Sequence, residues 1–357
     1  MNIDFHYGMI YIVARLAGLG PEQAKTVAHA CQYVDDATTG DLLHFAGGET
    51  FERFASAHEM IDYQNVNSDD NRTVWAPFHF LPGGEGDTFE ERAVCRQDSA
   101  IARDAVRYAI RAAGQDNALH RLGVTLHVYI DTWAHKGFSG ISSNGNAVHA
   151  LTSEDIQPDT WLQRLKAKAD HIVDAGKTFA LTELLPLGHG AALHYPDMPW
   201  AKWHYKNGYG DVIQRDNSQD FIDAADMACR AIQAHQQGVE EFERQPGLDG
   251  AQKAVLVDLI NRNRDMDPER RLDYLSAAVS NGAVPSLAET IPVYIAKGAG
   301  SWKSQATGIN ARDDGNDKPM WTEAFESSDY RKFHDAVKEH RFAVTQRILP
   351  AHKLRLA

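Results

Sequence analysis

Between Leu122 and His135 the chain is apolar at most positions, yet His127, Asp131 and His135 interrupt that run at intervals of four residues. On an α-helix each four-residue step turns the side chain by about 40°, so the three polar groups share one stripe. With Leu122, Val124, Leu126, Val128, Ile130 and Trp133 around them, the stripe has little solvent to face. Buried imidazoles and carboxylates need partners; a metal ion supplies one, and a carboxylate can bridge two ions. The plain alternative is a wet helix face whose polar residues only meet water. This segment, from about Asp116 to His135, is the most apolar helix expected and is predicted to be central.

Apolar residues recur at helical spacing through most of the sequence and strand-like alternation is scarce, so the expected fold class is all-α, a multi-helix bundle with long loops. A first helix is predicted from about Phe5 to Leu16, stopping at Gly18-Leu19-Gly20, and a second from Pro21 to about Val34. Thr88 and Glu91 form a capping-box pattern that opens a helix expected to run to Gly114. Residues 64 to 86, 137 to 146 and 185 to 210 read as loops, the first with an inward-packing aromatic segment, Trp75 to Phe80. Amphipathic helices follow from about Ser218, the last from about Ser328 to Ile348. One domain over 1–357 is expected, with a metal-site core at 1–215 and a helical extension, 216–357, packed on it.

Further candidates are His6 at the head of the first helix, Asp35 and Asp36 at the end of the second, and His79 in the aromatic loop. Each has a bland reading: a surface histidine, a solvated helix end, a packed loop histidine. The order His6, Tyr33-Val34-Asp35, Phe78-His79-Phe80 and His127-x3-Asp131-x3-His135 resembles the ligand order of the zinc-dependent phospholipase C and single-strand-specific nuclease superfamily. Gly188-His189-Gly190 and Pro196-Asp197 suggest a closer match to a bacterial branch of it. The resemblance covers roughly the first 200 residues and implies an all-helical bundle holding three zinc ions in a cleft. It would give one zinc to Asp35, His79, His127 and Asp131, a second to His6 and Asp131, and a third to His135 and His189. The family's acid one turn after the later histidine is Leu193 here, so Asp197 or His194 must substitute, or that zinc is weak or absent. Secreted members also use the N-terminal amine and carbonyl, which Asp4 could replace.

The chemistry implied is hydrolysis of a phosphate ester, a phosphodiester or phosphomonoester, with Asp35 or Asp36 orienting the attacking water. Zinc lowers the pKa of the water it holds and neutralises phosphoryl charge. Mixed imidazole and carboxylate donors also suit manganese or iron. The substrate could be a phospholipid headgroup, served by exposed apolar loops at Phe138, Trp200 and Trp203, or a single-stranded nucleic acid or nucleotide, stacked on Tyr7, Trp75, Trp133 or Tyr195. Core packing is the commoner role for such rings. The rival class is a non-catalytic binding protein stabilised by a closed metal site.

Other features narrow the field. A formal charge of -13 argues against a surface for duplex nucleic acid or anionic lipid. No stretch has the uncharged length of a membrane span, and no secretory signal pattern opens the sequence, so a cytoplasmic protein is expected unless it is exported without a signal. Cys31, Cys95 and Cys229 are too few and too dispersed for a disulfide framework. Lys136 and the Phe333-His334-Asp335 segment are expected to be solvated, and His44, His58, His149 and His171 to be structural or exposed.

Overall fold

The computed structural model describes residues 1–57, 71–141, 143–153, 192–312 and 317–356. A π-helical stretch, Asp4–Met9, leads into α1 (Ile10–Leu16) and then α2 (Pro21–Asp36). Next come α3 (Phe89–Ala93), α4 (Ala100–Arg111), α5 (Ala118–Ala134), α6 (Asn217–Gln237), α7 (Gly250–Arg262), α8 (Pro268–Ser280), α9 (Trp302–Thr307) and α10 (Asp329–Ala343). The apolar run around His127 is α5, buried almost throughout and packed against α2, α4, α6 and α10. Gly123 sets its distance from α2, since a Cβ there would stand 2.5 Å from the Val27 carbonyl and 2.6 Å from the Ala30 Cβ. Glycine weakens a helix by about 1 kcal/mol relative to alanine, so its place in mid-helix reflects this close approach.

The all-α expectation is overturned. Among the described residues helix predominates at 54%, but 10% is strand, and there are two antiparallel sheets. One pairs β1 (Leu42–His44) with β2 (Thr50–Glu52); the other has the order β3 (Val148–Ser153), β4 (Lys202–Asn207), β5 (Val212–Asp216). Strand β4 buries Trp203 and Tyr205 and exposes Lys202, His204 and Lys206, the two-residue alternation of a sheet with one covered face. The Asn207 side-chain oxygen accepts the N–H groups of Tyr209 and Asp211 and so turns the chain into β5. The loop expected from 185 to 210 is therefore a strand over 202–207, and its residues before 192 lie outside the described residues.

The helix expected from Thr88 to Gly114 is also divided. The Thr88–Glu91 capping box is present, but α3 ends at Ala93. The backbone then pairs with the turn after α5, Cys95 N–H donating to the Phe138 carbonyl at 2.7 Å and Gly137 N–H to the Cys95 carbonyl at 2.9 Å. Ser99 caps the new helix through the Ala102 N–H. Tertiary pairing overrides the continuous periodicity.

The C-terminal half holds the N-terminal segment in place. The buried guanidinium of Arg271 grips both oxygens of Asp4, at 2.6 and 2.9 Å. Tyr7 donates to the Pro292 carbonyl at 2.8 Å, and Glu289 accepts from Tyr11 and Arg15. Among the described residues no helix is long and apolar enough to cross a membrane.

Candidate metal centre

Five segments converge beside α5. The π-helical stretch supplies His6, the end of α2 supplies Asp35, and the residue after the short helix Ala76–Phe78 is His79. Helix α5 and its C-cap present His127, Asp131 and His135, while a 3-10 turn, Tyr195–Asp197, brings Asp197.

The proton positions on two rings follow from their backbone partners. His79 Nε2 faces the Ser56 carbonyl at 2.9 Å and His127 Nδ1 faces the Cys31 carbonyl at 2.8 Å. A carbonyl only accepts, so each neutral ring spends its one N–H outward. The remaining nitrogens, His79 Nδ1 and His127 Nε2, are bare lone pairs 3.2 Å apart. Burial pushes the pKa of His127 down to about 4, so that ring carries a single proton near neutrality.

Two carboxylates complete the set. Asp35 Oδ1 lies 3.7 Å from both bare nitrogens, and Asp131 Oδ2 lies 3.4 Å from that of His127 and 3.7 Å from that of His79. Donors at tetrahedral corners around an ion with bonds of about 2.0–2.1 Å stand roughly 3.3 Å apart, so the separations among Asp35, His79 and His127 suit one ion, with Asp131 beside both nitrogens. The donors also sit among carbonyl partners of the kind that orient metal-bound imidazoles.

A second group surrounds the other oxygen of Asp131. His6 Nε2 lies 3.1 Å from Asp131 Oδ1 without hydrogen-bond alignment, and the Met1 ammonium spans Asp131 Oδ1 at 2.7 Å and Asp197 Oδ1 at 3.2 Å. His135 Nδ1 meets the His79 carbonyl at 2.6 Å, and its Nε2 meets Asp197 Oδ1 at 3.4 Å. Burial alone would disfavour the Asp131 carboxylate, but His135, the ammonium, His127 and His6 hold its pKa well below the usual range. Burial and the neighbouring acids Asp131, Asp36 and Asp197 push Asp35 well above it. Burial disfavours the Met1 ammonium too, yet Asp131, Asp197 and Asp35 raise its pKa to about 11. The centre is short of positive charge wherever the ammonium does not reach.

The structure thus gathers His6, Asp35, His79, His127, Asp131, His135 and Asp197. His189 lies outside the described residues, as do His58 and His171. Asp36 turns away, accepting from Tyr294 at 2.6 Å and Gln32 at 3.1 Å. Asp4 does not stand in for an N-terminal donor, because Arg271 occupies it. Lys136 is paired with Asp220 at 2.5 Å and Gln97 at 2.9 Å rather than solvated. His334 is buried, against the expectation of a wet face, and Phe138, Trp200 and Trp203 are buried rather than exposed lipid-seeking groups. Sequence reasoning missed the Cys31 and Ser56 carbonyls, for which no side-chain signal exists. It also missed Arg215, whose guanidinium accepts none but donates to the Trp133 and Ala134 carbonyls, at 2.8 and 3.0 Å, and so fixes the end of α5 beside His135.

A family model described as a family of unknown function, DUF6765, matches residues 1–348. The chain belongs to DUF6765. No curated protein and no solved structure matches it. Membership of DUF6765 carries no activity with it, so function is argued from the donors themselves, which are buried His, Cys and Asp groups able to hold a metal ion.

Proposed function

We propose that this chain is a metal-dependent hydrolase of phosphate esters with a di- or trinuclear zinc centre. The observation that carries the reading is the convergence of Asp35, His79 and His127, with Asp131 Oδ2 within 3.4 to 3.7 Å of the two imidazole nitrogens that face each other. In this reading those four residues hold one ion, His6 and Asp131 a second, and His135 with Asp197 a third. The resemblance to zinc-dependent phospholipase C and single-strand-specific nucleases supports the first two assignments, and adds His189 beside His135 and Asp197 for the third. Zinc in such a cluster supplies water of lowered pKa and positive charge against phosphoryl oxygens.

The chain's own groups divide the remaining work. Asp131 offers one oxygen to each group of donors and fixes their spacing. The Asp35 side chain is 31% exposed where the other donors are almost wholly buried, so it marks the side from which substrate and water enter. Its raised affinity for a proton suits it to orient the attacking water and accept that water's proton. The backbone carbonyls of Cys31, Ser56 and His79 each meet one ring nitrogen and so aim the other toward the centre.

Elemental analysis of the full chain, followed by a panel of phosphodiesters and phosphomonoesters with and without chelator, tests the proposal. We expect bound zinc, with manganese or iron as the other metals this donor set suits, and turnover that chelator abolishes. Bound metal without turnover of any phosphate ester would leave a metal-stabilised binding protein and refute the hydrolase. A His127→Ala protein that keeps both metal and activity would refute the site.

A further inference from the structure

The segment that follows Asp35 lines a cavity of about 260 Å³. Small-molecule pockets usually measure ~300–1,000 Å³, so this one suits a single substituent rather than a whole large ligand. Although the chain is acidic overall, the lining carries Arg53, Lys297, Lys303 and Arg312 against only Asp36 and Asp41. Both acids are already engaged, Asp41 by Arg53 and Asp36 by Tyr294 and Gln32. Arg53 and Lys303 are engaged as well, by Asp41 and the Arg312 carbonyl, whereas Lys297 Nζ donates to the Thr38 hydroxyl, at 3.0 Å, and the Arg312 guanidinium has no partner among the described residues.

His334, which is buried, lines the same cavity and stays uncharged beside it. Phe54 presents both its N–H and its carbonyl to His334 Nδ1 at 3.2 Å. That N–H has no other acceptor among the described residues, and an orphaned buried N–H is rarer than an under-satisfied carbonyl. Nδ1 therefore accepts, and the ring proton sits on Nε2, which is buried and has no partner. Burial, reinforced by Arg53, pushes the pKa of this ring down to about 3 and keeps it a neutral donor. Lys297 and Arg312 are donors that an oxyanion, with several acceptor positions, can satisfy.

We propose that this cavity is an oxyanion-binding subsite for the metal centre's substrate, which would be a compact phosphate ester carrying a second phosphate or carboxylate group. The proposal rests on the hydrolase reading for the word substrate, but the subsite itself can be tested by binding alone. Full-length, metal-loaded protein is titrated calorimetrically with orthophosphate and, separately, with succinate, and compared with the Lys297→Met/Arg312→Gln double variant and each single variant. Metal content and melting temperature are measured for all. Both side chains reach solvent, so the variants should fold and keep their metal. The double variant should bind the preferred oxyanion at least tenfold more weakly than wild type, each single variant falling between, and the stronger of the two probes identifies the group. Equal affinity in wild type and double variant places the ion elsewhere and overturns the subsite, as does wild-type protein that binds neither probe. Binding that depends on Lys297 and Arg312 in a protein that hydrolyses no phosphate ester would sink the hydrolase and leave the subsite standing.

Discussion

Asp35 and Asp36 end the same helix, and the helical turn sends them into opposite surroundings. Asp35 faces bare nitrogens and another carboxylate, a place that lacks positive charge. Asp36 faces a phenol, an amide and a cavity rich in cationic donors, a place that lacks an anion. Identical side chains one residue apart thus take different parts, because what they meet, not what they are, sets their chemistry. Residues 35 and 36 stand between a region that attracts cations and one that attracts anions.

The largest expected effect comes from Asp131→Asn, which weakens the one carboxylate touching both groups of donors. Metal content should collapse and turnover should fall roughly a thousandfold or more, read by elemental analysis and steady-state kinetics. The neighbouring acids then test the contrast directly. Asp35→Asn should lower metal occupancy and cut turnover by about a hundredfold. Asp36→Asn should keep the metal and cost about 1–2 kcal/mol of stability through its bond from Tyr294. Equal losses of metal from the two variants would erase the comparison.

Acid should act on the protein even where metal plays no part. Burial holds His29 and His334 near pKa 3, and His235 and His340 near 4, below the ordinary histidine value of 6.5. Between about pH 4 and 6.5 the unfolded chain therefore binds more protons than the folded one. Stability from these rings is complete above pH 6.5 and is lost as pH falls toward 4, by at most about 1.4 kcal/mol per ring per unit. Denaturant midpoints at pH 7 and pH 5, both with chelator present, should differ in that direction; coincident midpoints would show that the rings are not buried neutral. The smallest effect is expected from Gly123→Ala. Overpacking against Val27 and Ala30 costs about 1–3 kcal/mol, against a gain of about 1 kcal/mol in helix propensity. Net destabilisation with partial metal loss would tie the α2–α5 distance to the centre, whereas a more stabilised variant with full metal would break that link.

Much of the centre was legible because it lies on helices. His127, Asp131 and His135 declare a shared stripe through spacing alone, and Pro21 and the glycines at 18 and 20 fix where Asp35 falls. The sheet was legible in part and misread: the alternation from Lys202 to Asn207 is plain once seen, but the glycine- and proline-rich residues before it masked so short a period. The division of the helix after Ala93 could not be read locally, since it depends on a pairing of Cys95 with residues some forty positions later. The same holds for His334, whose amphipathic helix gave no hint that its ring would be covered by Phe54. Periodicity reports which face is apolar, not what long-range partner will bury an isolated polar group on the other.

The grip of Arg271 on Asp4 joins residues 267 positions apart in the chain. During translation His6 emerges well before the side chain that clasps its segment is made. The order of synthesis therefore runs opposite to the order of closure: one donor waits, unanchored, until the residues around Arg271 have left the ribosome. A piece cut at residue 215 would contain nearly every candidate ligand and still lack the clasp that presents the first of them.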